Sequence, residues 1–244
     1  MMMKIFISLL VTILFMTTHS TFAATVPLNE LIGQFNEKTH PNYINLDHTI
    51  LPVNKPNMYL QKPVAEKLIE AYQAFKAEHP TLPFIIISAT RNYAYQNGIW
   101  QRKWKTLYTK YKNSHKTADA ILQYSSMPGT SRHHWGTDVD ITSLESSYFL
   151  QDQQGKILYD WLIKNMPKYG FCQSFTQGRK VGYQPEEWHW SYQPIAKHYI
   201  AQYRYYMDKH PEQIINKLNF AGHNNLNLKK LINDYVFSIN HQCY

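Results

Sequence analysis

Apolar positions along the chain follow two different periods, which predict a mixture of helices and short strands. Helical spacing of apolar residues predicts three helices, at residues 61–79, 93–111 and 156–166. Short apolar or alternating runs predict three strands, at residues 84–88, 136–142 and 187–192. Because these elements do not follow a regular βαβ rhythm, we predict an α+β fold in which helices flank a central antiparallel sheet.

Two regions lie on either side of this pattern. Residues 24–60 are rich in Pro and Asn, which predicts a loop-rich lead-in wrapped on the domain. The tail from residue 194 is predicted to be mostly helical. With 244 residues the chain has room for one domain with its own core. We assign residues 24–195 to this domain and residues 196–244 to a helical C-terminal extension packed on it, and we expect a monomer.

The start of the chain has the pattern of a secretory signal peptide. Lys4 precedes an apolar run at residues 5–16, and small residues surround a cleavage point after Ala23, so we assign residues 1–23 to this peptide. The run has 12 residues, too few to cross a bilayer as a stable helix, which disfavours the alternative of an N-terminal membrane anchor. The mature chain is expected in the periplasm or outside the cell, without stable membrane insertion.

The composition is typical of an ordered, basic protein. Apolar residues make up 44% of the chain, aromatic residues 15% and charged residues 17%, which argues against intrinsic disorder and against a coiled coil. The net charge of +8 favours anionic partners. Basic and aromatic residues interleave at residues 100–116, but on a helix this pattern predicts an aromatic core stripe opposite a solvated basic face. Export favours an anionic wall polymer, and not nucleic acid, as the partner.

The chain has two cysteines, Cys172 and Cys243. In an oxidising compartment they are expected to form a disulfide, which would pin the end of the chain to its middle. Two unpaired buried thiols are the alternative.

Three segments concentrate polar groups within otherwise apolar stretches, at residues 88–91, 131–140 and 186–190. A catalytic zinc ion takes three protein ligands from His and carboxylate side chains and leaves one position for water. His133, Asp140 and His189 can supply that set. On a strand after Gly136, Asp138 and Asp140 share one face, so Asp140 is expected to point into a cleft while the alternate residues pack on the core.

Spacing alone leaves two choices open. His134 competes with His133 as the first ligand, and Glu187 competes with Glu186 as the general base. Glu187 shares the parity of His189 on a straight strand. Glu186 must instead lie in the incoming loop or across a bulge if it is to reach a metal-bound water.

Three motifs in order resemble those of a known family. They are Ser131-x-His133-x-x-Gly136-x-x-x-Asp140, then Glu186-x-Trp188-His189, and upstream of both Ser88-x-x-Arg91-x-x-x-x-Gln96. This set resembles the D-alanyl-D-alanine zinc metallopeptidases, which include the vancomycin-resistance carboxypeptidases and dipeptidases and are grouped with lysostaphin-type enzymes and hedgehog domains. The resemblance covers about residues 60–195 and implies the corresponding α+β fold.

The resemblance also implies roles for individual residues. It implies one Zn²⁺ per chain held by His133, Asp140 and His189, with Glu186 as the catalytic base acting on a zinc-bound water. Arg91 is implied to contact the substrate and to stabilise the developing oxyanion. Further substrate contacts are implied for three residues, Ser88, Gln96 and Ser131. Ser131 has a second interpretation, as a turn cap before the strand.

The sequence departs from the family pattern at two positions. Asp138 replaces a small residue, and Glu187 replaces a common Pro. Asp138 is expected either to support the metal ligands or to crowd the substrate. Neither change removes a ligand.

The function that we expect is that of an exported zinc peptidase acting on peptidoglycan stem peptides, most simply by removing a terminal D-alanine. The alternatives are an endopeptidase or a D,D-dipeptidase with the same site, and a non-catalytic wall-binding module with a structural zinc ion.

Overall fold

A computed structural model describes residues 25–244. The predicted signal peptide lies outside the described residues. Within them, no helix combines the length and the apolar character needed to span a bilayer.

The described chain contains nine helices and six short strands. The helices are α1 Leu28–Leu31, α2 Lys62–Glu78, α3 Tyr93–Tyr111, α4 Ser114–Ile121, α5 Ser146–Gln151, α6 Gln153–Asn165, α7 Gln193–Lys209, α8 Pro211–Ile215 and α9 Leu228–Val236. The strands are β1 Tyr43–Asn45, β2 Tyr59–Gln61, β3 Ile86–Ser88, β4 Asp138–Ile141, β5 Phe171–Gln173 and β6 His189–Tyr192. A 3-10 turn, Arg132–Trp135, leads into β4.

Four strands form the central sheet, in the order β3-β4-β6-β5, and every neighbouring pair is antiparallel. In the register of β4 with β6, Asp140 lies opposite His189 and Asp138 lies opposite Ser191. Because side chains alternate along a strand, these four polar residues lie on one face of the sheet. The antiparallel α+β prediction is confirmed.

The other face of the sheet packs against helices. Val139 and Ile141 of β4 are completely buried and belong to a hydrophobic cluster that includes Trp190 of β6 and residues from α2 and α6. A second cluster joins α3 and α4 to the C-terminal helices through residues such as Trp100 and Tyr203. The face that carries Asp138, Asp140, His189 and Ser191 therefore belongs to a sheet whose opposite face is held by a closely packed hydrophobic core.

The predicted helices agree closely with the structure, and the predicted strands are longer than the observed ones. Helix α3 has the predicted bounds, and α2 and α6 differ from theirs by one to three residues. The run predicted as a strand from residue 136 begins as a strand only at Asp138. Gly136 has a φ of 66°, in the left-handed region, and ends the 3-10 turn there.

The expectation of a loop-rich lead-in before residue 60 was incomplete. This segment contains α1 and an antiparallel pair, β1 with β2, in which Tyr43 lies opposite Gln61. The Tyr43 hydroxyl donates to the carbonyl of Trp135, 3.1 Å away, which ties this small sheet to the turn before β4.

The C-terminal extension is helical, as predicted. It is joined to the central sheet by a disulfide between Cys172 of β5 and Cys243. Asn240 reinforces this link, since its backbone N–H donates to the carbonyl of Ser174 and its side-chain amide donates to that of Gln173. The domain division at residue 195 stays a prediction.

Candidate metal centre and active site

Three side chains that are distant in sequence converge at the centre of the sheet. His133 Nε2 lies 3.3 Å from Asp140 Oδ2, and His189 Nδ1 lies 3.0 Å from Asp140 Oδ1. One potential ligand atom from each residue lies within 4.8 Å of the other two. All three residues are buried. This is the donor set, two imidazoles and one carboxylate, that suits Zn²⁺.

The hydrogen bonding of His133 leaves one ring nitrogen free. Nδ1 donates to the carbonyl of Ala89 at 2.8 Å. Nε2 is buried and has no hydrogen-bond partner among the described residues. An orphaned lone pair of this kind is costly unless a ligand occupies it, so the ring is arranged to bind a cation through Nε2.

His189 is oriented by a carboxylate behind it. Its Nε2 lies 2.9 Å from Asp138 Oδ1 and donates to it, which directs the lone pair of Nδ1 towards Asp140. Asp138 is completely buried, and three side chains bind it in turn: Arg132 through Nε, Ser191 through its hydroxyl, and Thr137. Asp138 thus supports a candidate ligand from behind and does not reach into the substrate space.

The charges around His189 favour a cation. Burial alone would raise the carboxyl pKa of Asp138 and of Asp140, but Arg132 near the first and His133 near the second reverse this, and both pKa values fall well below the ordinary range. Burial alone would also lower the pKa of His189, yet the nearby carboxylates of Asp138 and Asp140 raise it to about 9. Arg132 already pairs with Asp138, and a bound Zn²⁺ would place positive charge beside the ionised Asp140, so the residues fit this ion.

The neighbouring histidine has a different environment. His134 Nδ1 donates to the carbonyl of Arg91, and the backbone N–H of Gly129 donates to His134 Nε2 at 3.0 Å. Burial lowers the pKa of His134 to about 3, so the ring is neutral. With both ring nitrogens occupied by backbone partners, His134 pins two loops together, and His133 is the histidine that the structure brings to the cluster.

The two adjacent glutamates also point to different places. Glu186 precedes a turn at residues 187–188, which brings its Oε2 to 3.7 Å from His189 Nδ1. Glu187 accepts a hydrogen bond of 2.6 Å from the Ser146 hydroxyl and so ties this turn to α5. The parity that favoured Glu187 does not apply, because β6 begins only at His189.

The environment of Glu186 suits proton transfer. Burial raises its pKa to about 8, and the nearby carboxylate of Asp140 adds to this, while His189 and Arg91 oppose it. A carboxyl group with this affinity for a proton can take one up and return it near neutral pH.

Arg91 lies across the end of β3. Its Nη1 donates to Ser88 Oγ at 3.0 Å and lies 3.4 Å from Asp140 Oδ2. Its Nε is buried without a partner among the described residues. Ser88 does not line the cleft, so its observed contact is with Arg91 and not with the substrate space.

The cluster opens into a cleft of about 590 Å³. Arg91, Asp140 and Glu186 form part of its lining. Gln96 lines it as well; its amide nitrogen donates to the carbonyl of Ser126, while its Oε1 is buried without a partner. The remaining lining residues include four apolar or aromatic side chains, Ile99, Tyr124, Leu144 and Trp188.

A smaller cavity of about 20 Å³, room for about one water molecule, adjoins the candidate ligands. Ser131 lines it together with His133 and Glu186. Although Ser131 precedes the 3-10 turn, its side chain makes no capping hydrogen bond there. The alternative interpretation of Ser131 as a turn cap is therefore not supported by its contacts.

Two polar residues near the site were not anticipated from the sequence. Tyr183 lines the small cavity, and its hydroxyl is buried without a hydrogen-bond partner among the described residues. Lys103 is exposed, as helical periodicity predicts, and it also lines the large cleft. No sequence signal marks Tyr183, which lies in an irregular loop. Lys103 lies seven residues, or two helical turns, after Gln96, so the spacing places both residues on the same side of the helix and could have indicated that Lys103 lies near the site.

A known family model matches the region of the chain that contains the site. The chain belongs to the VanY family, described as D-alanyl-D-alanine carboxypeptidase, whose family model matches residues 57–195. The match includes all three motif segments of the site.

Individual similar proteins cover the chain only in part. A putative carboxypeptidase of Bacillus subtilis, YodJ, is 27% identical over 137 residues, which are 55% of this chain and 46% of the relative. An uncharacterised protein of Haemophilus influenzae is 36% identical over 81 residues, which are 28% of this chain and 60% of the relative. The matches thus span about half of the length of these relatives.

The fold is shared with a solved structure. The structure of the LD-carboxypeptidase LdcB superposes with a TM-score of 0.51 and 19% sequence identity, covering 83% of this chain and 81% of that one. At this identity the comparison supports the architecture of the sheet and its flanking helices.

Proposed function

We propose that this protein is a zinc-dependent D,D-carboxypeptidase that removes the terminal D-alanine from peptidoglycan stem peptides. One observation carries the proposal: Nε2 of His133 is buried and has no hydrogen-bond partner among the described residues, and it lies 3.3 Å from Asp140 Oδ2. His189 completes the cluster, with its Nε2 bound to Asp138. The choice of bond rests on the description of the family to which the chain belongs.

His133, Asp140 and His189 would hold the zinc ion. When bound, Zn²⁺ supplies Lewis acidity and brings the pKa of a coordinated water close to about 7. The protein contributes a rigid frame for this ion, because each ligand is fixed by a second group: the carbonyl of Ala89 for His133, and Asp138 for His189.

Glu186 is the proposed general base and acid. Its carboxylate takes the proton of the attacking water as the water oxygen bonds to the peptide carbonyl carbon. The same group returns the proton to the leaving nitrogen as the C–N bond breaks, which releases a free amino acid. Its position beside His189 and its raised pKa support this role.

Arg91 is the proposed electrostatic partner of the reacting carbonyl. Its guanidinium is positioned by Ser88 and lies at the edge of the cluster, next to Asp140. A fixed positive charge at this place stabilises the negative charge that develops on the carbonyl oxygen. It is also able to bind a terminal carboxylate in a bidentate manner.

Export is part of the proposal. The basic, apolar and small-residue pattern of residues 1–23 supports it, as does the Cys172–Cys243 disulfide, since such bonds persist in oxidising compartments. Fractionation of cells expressing the full chain tests this point, with the processed protein expected outside the cytoplasm and an unprocessed cytoplasmic protein contradicting it.

Product analysis of purified stem pentapeptides tests the reaction. Mass spectrometry is expected to show release of free alanine by the zinc-loaded protein, and release of a dipeptide or cleavage within the stem would contradict the carboxypeptidase assignment. Glu186→Gln is expected to lower turnover at least about 100-fold with zinc content unchanged. Glu187→Gln, the matched control, is expected to retain turnover.

A further inference from the structure

One wall of the cleft is formed by a single face of α3. Gln96, Ile99 and Lys103 all line the cleft, and their spacing of three and four residues places them on the same side of the helix. Gln96 lies at the start of the helix near Arg91, and Lys103 lies two turns further along. Tyr124 and Trp188 add aromatic surface to the same cleft.

Lys103 is a cation without an anionic partner. Its Nζ donates to the Ser125 hydroxyl at 2.6 Å, and no carboxylate of residues 25–244 lies within 4.0 Å of it. Among the described lysines only Lys67 and Lys230 have such partners, Glu70 and Asp234, so what distinguishes Lys103 is its place in the cleft wall.

The electrostatics of the cleft add to this imbalance. Burial and the positive charge of Arg91 lower the pKa of Lys103, and Glu186 opposes this only in part. Lys103 is exposed at the cleft wall, and an ammonium and a guanidinium that face the same cleft together attract an anion. The positive charges of Lys103 and Arg91 therefore favour a negatively charged group of the substrate in this cleft.

We propose that Lys103 is a specificity-determining residue that binds a carboxylate of the peptide substrate. This inference rests on the proposed function and deepens it. Arg91 acts at the scissile bond, and Lys103 binds a carboxylate that the substrate carries away from that bond. Two parts of a peptide supply such a group, the C-terminal carboxylate and an acidic side chain, and the experiment distinguishes them.

The test combines variants of Lys103 with matched peptides. Lys103→Met keeps the length of the side chain and removes its charge, and Lys105→Met is the control on an exposed part of the same helix. Three peptides are compared: the unmodified one, one with its side-chain carboxylate amidated, and one with its C-terminus amidated. KM and kcat are measured for each with zinc-loaded protein.

For the unmodified peptide, Lys103→Met is expected to raise KM about tenfold, the loss of one charge-assisted hydrogen bond, with kcat within about twofold of the wild type. For the peptide that lacks the bound carboxylate, the variant and the wild type are expected to have the same KM, which identifies that carboxylate. Lys103→Arg is expected to restore most of the affinity, because it keeps the charge. Equal effects of Lys103→Met on all three peptides, or none on any, would overturn the proposal.

Calorimetric binding to the Glu186→Gln protein separates this inference from the proposed function. The Glu186→Gln, Lys103→Met double variant is compared with Glu186→Gln alone. If the double variant binds the carboxylate-bearing peptides more weakly and the amidated peptide equally well, the role of Lys103 is supported, even if the wild type hydrolyses none of these peptides. If the peptides are hydrolysed but their binding does not depend on Lys103, the proposed function stands and this inference fails.

Discussion

His189 Nε2 donates to Asp138 Oδ1 across 2.9 Å, from the side of the imidazole that faces away from the candidate metal position. Asp138 is one of the two places where the chain departs from the pattern of its family. The departure supplies a carboxylate that fixes the tautomer and the ring orientation of a ligand. Arg132 balances the buried charge and Ser191 donates a hydrogen bond to it, so this carboxylate stays ionised.

Replacing Asp138 therefore weakens metal binding without removing a ligand. Asp138→Asn is expected to lower zinc affinity about 10- to 100-fold, the usual effect of losing a partner that orients a metal-binding histidine. Competition with a chelator of known affinity measures this. The exposed Asp119→Asn is the control, and an unchanged affinity in Asp138→Asn would show that the contact does not support the metal.

Arg91 provides a prediction about rate that is independent of metal content. Arg91→Lys keeps a positive charge but loses the planar fork that Ser88 positions, so kcat is expected to fall about 100-fold or more. Zinc content is expected to stay at the wild-type level. Arg102→Lys, at an exposed position, controls for a general effect of the substitution. If Arg91→Lys retains full turnover, the proposed role of the Arg91 guanidinium in the reaction is contradicted.

The disulfide connects the end of the chain to the strand beside β6. Phe175, close to Cys172 in sequence, packs its ring 4.7 Å from that of His189, and Tyr183 continues the contact to Tyr235 of α9. Cys172→Ala with Cys243→Ala is expected to lower the free energy of unfolding by about 2–5 kcal/mol, measured in urea. A reducing agent is expected to lower the free energy of unfolding of the wild type by a similar amount and to leave that of the double variant unchanged. An equal decrease in both proteins would contradict this.

Alkaline pH is expected to destabilise the protein through a buried tyrosine. The Tyr203 hydroxyl donates to the carbonyl of Gly129, and burial raises its pKa well above the ordinary value. Because the folded protein holds this proton more tightly than the unfolded chain, the stabilisation is complete below about pH 10 and is lost as the pH rises beyond it. The free energy of unfolding, measured in urea, is expected to fall less above about pH 10 in Tyr203→Phe than in Tyr205→Phe, an exposed control. An identical fall with pH in both variants would contradict the assignment.

Much of the fold followed from periodicity. Helices α2 and α3 are long enough for their apolar stripes to define them, and the alternation along β4 correctly placed Asp138 and Asp140 on one face. Strands β1 and β2 have three residues each, too few for a pattern to emerge from a segment rich in Pro and Asn. Their stability comes from tertiary contacts such as that of Tyr43 with Trp135.

The site was predictable in its residue types but not in every choice between neighbours. Each of the two histidine rings donates to a backbone carbonyl, but Nε2 of His134 accepts from Gly129 N–H whereas Nε2 of His133 has no partner among the described residues, and spacing does not encode this difference. Glu186 and Glu187 are distinguished by a turn that breaks the parity of the strand. Lys103 is exposed, as its helical position indicates, but the elements that complete the cleft around it cannot be located from a helical pattern.

Zinc content tests the central claim most directly. Elemental analysis of the purified chain is expected to give about one zinc ion per protein molecule for the wild type and for His198→Ala, an exposed histidine on α7. His133→Ala is expected to lose nearly all of this zinc while its circular dichroism remains that of a folded protein. A folded His133→Ala protein that retains the wild-type zinc content would contradict the metal site, and with it the proposed reaction.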